Sequence, residues 1–86
     1  MIDIIAEALN EKSKDSFYVI HKYTKNSIIK SCKIDVFTLY LIKNEEQKEL
    51  FTYSRTRKIG ESFKDSEREA TKQLILFLLK YEQISN

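Results

Sequence analysis

Ser66-Glu67-Arg68-Glu69-Ala70-Thr71-Lys72-Gln73-Leu74-Ile75-Leu76-Phe77-Leu78-Leu79 reads as a helix start followed by a helix that is apolar on nearly every side. Ser66 with Glu69 three residues on is a capping box: the hydroxyl accepts the Glu69 backbone N–H, and the Glu69 carboxylate reaches back. The helix is expected to run from Glu67 to about Gln83. Ala70, Leu74, Phe77, Leu78 and Tyr81 form its main stripe, and Ile75 and Leu79 widen that stripe past an ordinary amphipathic face. Such a helix needs a surface to lie on, and the segments ahead of it supply one.

Phe17 to Tyr23 is rich in aromatic and β-branched residues and reads as a strand. Thr24-Lys25-Asn26-Ser27 suits a turn. Ile28 to Lys43 is long for one strand, so a bulge or bend is expected near Lys30–Lys33. From Ile34 to Ile42 both faces are apolar: Phe37, Leu39 and Leu41 point one way, Ile34, Val36, Tyr40 and Ile42 the other. A strand of that kind belongs in the middle of a sheet. Asn44-Glu45-Glu46-Gln47 is a hairpin loop, Lys48 to about Lys58 is the returning strand, and Gly60, the only glycine, ends it. At the start, Ile2, Ile5, Ala6 and Leu9 make one apolar stripe of a short helix ending near Lys12, beside an acidic stripe of Asp3, Glu7 and Glu11. The order predicts an α+β fold, α-β-β-β-α: a three-stranded antiparallel sheet with two helices packed on one face.

Length and composition bound the rest. A chain of 86 residues is expected to form one domain over 1–86, burying about two-thirds of its unfolded surface in one thin core. Charge is abundant but nearly balanced, with 15 Lys+Arg against 13 Asp+Glu, and a net +2 does not by itself call for nucleic acid. The single cysteine, Cys32, excludes an internal disulfide and a cysteine-based zinc site. Asp3 and Glu7 stand where a signal peptide needs positive charge, and the longest apolar run, Leu74–Leu79, is far too short to span a membrane. A cytoplasmic protein is expected. The richness in Lys, Ile, Asn and Ser suits an AT-rich genome, such as that of a phage or mobile element.

The element order resembles the double-stranded RNA-binding domain. The closest local match is Gly60-Glu61, a short polar stretch, then Ser66-Glu67-Arg68-Glu69-Ala70-Thr71-Lys72 leading into Leu78-Leu79-Lys80-Tyr81. The resemblance implies a Gly-containing third strand followed by a helix whose first turn grips phosphate. Ser66 and Ala70 match the family's pattern, and Arg68 and Lys72 match in part. Glu67 and Thr71 stand where the family has phosphate-holding lysines, and Thr24-Lys25-Asn26-Ser27 replaces its Gly-Pro-x-His loop. The resemblance therefore implies the fold more than duplex RNA binding, because carboxylates repel phosphate.

Candidate chemistry is sparse. His21, the only histidine, has no partner at recognisable spacing and is expected to be a partly buried packing residue. Cys32 is expected to be a small buried strand residue. Asp35 followed by Glu46-Gln47-Lys48 echoes a metal-dependent nuclease arrangement, but Glu46 and Lys48 fall at a hairpin loop. No enzyme activity, cofactor, metal or small-molecule substrate is expected. Two binding readings remain. Contiguous apolar surface beyond what two helices can cover points to protein–protein contact through Tyr40, Ile42, Phe51 and Tyr53 on the sheet and Ile75 and Leu79 on the second helix. That contact is expected as a homodimer or as a phage-type inhibitor or adaptor of a larger partner. The alternative is a basic sheet edge of Lys22, Lys25, Lys30, Lys33, Arg55, Arg57 and Lys58 that binds RNA.

Overall fold

The strand with two apolar faces lies at the centre of the sheet. The computed structural model describes residues 1–28 and 31–85, the last four of these as backbone only. Its order is α1 (Ile2–Lys12), β1 (Ser16–Asn26), β2 (Lys33–Lys43), β3 (Glu46–Thr56) and α2 (Phe63–Ser85). The strands form one antiparallel sheet in the order β1-β2-β3. Both helices pack on the face that carries Phe37 and Leu39, where Ile2, Ala70 and Leu74 complete the buried core.

β1 runs further than its sequence suggests. Thr24, Lys25 and Asn26 continue the strand and pair with Asp35, Ile34 and Lys33 rather than turning. The reason is chemical: the Thr24 hydroxyl donates to Asp35 Oδ1 at 2.7 Å, which rewards extended backbone at that point. The expected bulge near Lys30–Lys33 is not part of β2, which begins at Lys33, and Lys30 lies outside the described residues. The register shift lies instead between Leu39 and Tyr40, which face Phe51 and Glu49, so Leu50 is the extra residue on β3. The Leu50 side chain packs against the core.

α2 begins four residues earlier than Glu67-based capping predicts. Ser66 is fully buried within the helix. The cap is Ser62 with Asp65: the Asp65 carboxylate accepts the Ser62 backbone N–H at 2.8 Å and its hydroxyl at 3.2 Å. Both Ser62-x-x-Asp65 and Ser66-x-x-Glu69 fit the capping pattern. The earlier start wins because it brings Phe63 onto Phe37, with ring centroids 5.3 Å apart. At the other end of the sheet, α1 is tied to β1 by Asn10, whose side-chain oxygen accepts the Tyr18 backbone N–H at 2.6 Å and whose amide donates to the Tyr18 carbonyl at 3.0 Å.

Two turns carry backbone strain in opposite ways. The β2–β3 hairpin turns through Asn44 and Glu45 alone, at φ 52° and 65°. Both central residues are left-handed, as in a type I′ turn, and glycine is the preferred residue at the second. Glu45→Gly is expected to raise stability by about 0.5–1 kcal/mol, measured as a shift in the urea midpoint. Gly60, at φ 86°, sits in the turn closed by the Glu61 N–H to Lys58 carbonyl bond of 3.0 Å. A Cβ there meets nothing within 4 Å, so only the dihedral demands glycine. Gly60→Ala is expected to cost about 1 kcal/mol in the same measurement, through strain and not through a clash.

Candidate functional site

At the Asp35 end of the helix-covered face the polar side chains are spent on one another. Asp35 is 0% exposed, an unusual place for a carboxylate. Arg57 grips it with two bonds, Nε to Oδ2 at 3.0 Å and Nη2 to Oδ1 at 2.7 Å. Burial pushes the Asp35 carboxyl up, but hydrogen bonds from Arg57, Ser66 and Thr24 outweigh it, and the net shift is downward. Ser66 also accepts Arg55 Nη1 at 3.3 Å, and Arg55 Nη2 reaches Glu61 at 2.7 Å. The Arg55 guanidinium and the Lys58 backbone N–H together hold the Glu61 carboxyl below its usual range. Lys22 closes the far side of this face on Asp3 at 2.7 Å and Glu67 at 3.5 Å. Its pKa is raised, first by the hydrogen bond to Asp3, against an opposing effect of burial.

These pairings thin the basic set expected from the sequence. Lys22, Arg55 and Arg57 are each paired within the chain. Lys30 lies outside the described residues. Lys25, Lys33 and Lys58 are exposed and form no ion pair among the described residues. Lys33, Arg57 and Lys58, with Glu61, line an open hollow of about 510 Å³ at one end of the sheet.

The apolar set divides three ways. Tyr40 and Ile42 lie half-buried on the sheet face that no helix covers. Phe51 and Tyr53 lie on the opposite face, partly buried against the core, with Phe51 5.2 Å from the Phe77 ring. Ile75 and Leu79 stand out from α2, 46% and 55% exposed. They are therefore not one surface. A smaller hollow of about 290 Å³ runs between the helices, lined by Ile4, Ile5, Ala8, Leu9, Lys12 and Leu78.

The uncovered face is set out by the strand register in five rows. β1 contributes Lys25, Tyr23, His21, Val19 and Phe17; β2 runs beside them with Ile34, Val36, Thr38, Tyr40 and Ile42. β3 contributes Thr56, Ser54, Thr52, Glu49 and Gln47. Only Lys25 and Glu49 carry full charge. An antiparallel sheet face that meets water ordinarily alternates to polar residues; here β1 and β2 present aromatic and branched side chains instead. Phe17 is 52% and Tyr23 43% exposed. Thr52 donates across to the Thr38 hydroxyl at 3.3 Å, so the centre of the face is self-satisfied.

Two lesser expectations are corrected, and Glu46 and Lys48 lie within β3 and not in a loop. His21 is exposed on this face, not partly buried, because nothing packs over β1 there; its ring lies 5.4 Å from that of Tyr23. Cys32 is half-exposed and precedes β2, where its carbonyl accepts the Ser27 N–H at 2.8 Å. Asp35 and Glu46 are kept apart by register: Glu46 pairs with Lys43, eight residues along β2 from Asp35, roughly 26 Å away. Among the described residues no group of three or more His, Cys, Asp or Glu is placed to hold a metal ion, and no helix is long and apolar enough to cross a membrane. Compared with known proteins, the chain matches no family model, no curated protein and no solved structure.

The Asp35–Arg57 pair sets a pH dependence. A carboxyl whose pKa falls on folding contributes stability above its unfolded value and loses it as pH drops through the folded value. Asp35→Asn is expected to cost about 3 kcal/mol at pH 7, because it leaves Arg57 without its charge partner. Urea unfolding at a series of pH values should show that deficit shrinking below about pH 4.

Proposed function

We propose that the chain is a binding domain that works by protein–protein contact, through the uncovered face of its sheet. The observation that carries this is the composition of that face: Phe17 and Tyr23 stand exposed, Val19, Ile34, Tyr40 and Ile42 lie half-buried beside them, and Lys25 is the one full charge on β1 and β2 there. Exposed apolar area of that continuity marks an interaction surface. A phage-type inhibitor or adaptor remains the biological setting that size and composition suggest. The RNA-binding alternative has less support, since three of its seven residues already neutralise carboxylates of the same chain.

Pull-down with a tagged chain tests this. Protein captured from cell lysate should survive nuclease and moderate salt, and should be lost with Tyr40→Glu. Ile75→Glu, on α2, should leave capture intact. Capture that disappears with nuclease, or that persists in Tyr40→Glu, overturns the proposal and favours Lys25, Lys33 and Lys58 as contacts to nucleic acid, whose binding weakens steeply with salt.

A further inference from the structure

We infer that the occupant of the uncovered sheet face is a second copy of this chain, related by a two-fold axis that lies between the sheets and runs across the strands. This rests on the reading of that face as a protein-binding surface and names its partner.

The charge pattern of the face selects the arrangement. Lys25 stands in the first row on β1, and Glu49 in the fourth row on β3. An axis across the strands lays each strand over its own copy and reverses the row order. Ile34 then meets Ile42 of the second copy and Val19 meets Tyr23, while Tyr40 closes over Val36, which its own chain already buries to 5% exposure. Glu49 meets the Ser54 hydroxyl, and Lys25 comes over the Phe17 ring, an attractive cation–π placement. Every apolar side chain of β1 and β2 is covered, and no charge faces its like. An axis along the strands instead puts Glu49 on Val19 and burns a desolvation cost with no partner for the carboxylate. Self-complementarity of one patch is what a two-fold contact requires.

The area is sufficient for a modest dimer. Strands of 11 residues at ~3.3 Å each, three abreast at ~4.8 Å, give about 500 Å² per copy and about 1,000 Å² in all. That stands at the lower edge of specific interfaces, where association is reversible.

The same geometry sets His21 opposite His21 of the second copy, in the middle row. Around it on its own chain are Tyr23 on β1, Thr38 on β2 and Thr52 on β3, with Glu49 one row away on the far strand. No other element packs there, so no carboxylate touches the imidazole. A fixed charge placed there by His21→Lys therefore sets two cations face to face in that seam.

Sedimentation over a concentration series tests the inference with the full chain. The wild type should form a dimer, and His21→Lys should weaken it about tenfold or more. His21→Gln should dimerise as the wild type does. Tyr40→Glu, checked for folding by circular dichroism, should be monomeric, and Ile75→Glu should dimerise as the wild type does. A dimer indifferent to His21→Lys overturns the end-reversed register. A wild type that stays monomeric, yet captures a lysate protein in a Tyr40-dependent way, overturns the second copy and leaves the binding face standing. A monomer that captures nothing, or a dimer that survives Tyr40→Glu, overturns both.

Discussion

The burial of Asp35 is the constraint on which the other elements depend. A carboxylate with no exposure is tolerable only when every oxygen is satisfied and its charge is matched. Those requirements recruit Thr24 from the end of β1 and Arg57 from beyond β3. One side chain thus fixes the length of β1 and the path of the chain after β3. Breaking the pair leaves a buried charge behind, so these elements are coupled far more tightly than a purely apolar contact of similar size would couple them.

The electrostatics of the surface follow from that internal economy. Arg55 and Glu61 extend the network, while Lys22, Asp3 and Glu67 form a second knot where α1 meets α2. Glu67 also takes the backbone N–H of Ile2 at 3.4 Å, so it serves the start of α1. The residue faces inward and holds two helices together.

How much of this was legible in the sequence depended on whether the signal was periodic or long-range. The element order, the central place of β2 and the α2 stripe of Ala70 and Leu74 came from apolar periodicity, which local residues determine. The start of α2 did not, because two capping boxes four residues apart compete, and only the tertiary contact of Phe63 with Phe37 decides between them. The extent of β1 and the internal pairing of Arg57 were hidden for the same reason: Asp35 is separated from Arg57 by 22 residues. One sign was available, an acid set in the otherwise apolar run from Ile34 to Ile42. The candidate site fared less well. Alternation correctly grouped Tyr40 with Ile42 and Phe51 with Tyr53, but it could not tell which group the helices would cover.

Asn10 and Leu50 have a joint consequence for growth of the sheet. A strand edge is a template for further strands, and an 11-residue β1 without proline is long enough to seed one. Asn10 occupies both backbone groups of Tyr18, and the extra residue at Leu50 breaks the regular spacing of β3. Neither border offers an uninterrupted row of donors and acceptors. Fibril-like extension sideways is discouraged at both margins, and any gathering of copies is steered toward closed assemblies of fixed size.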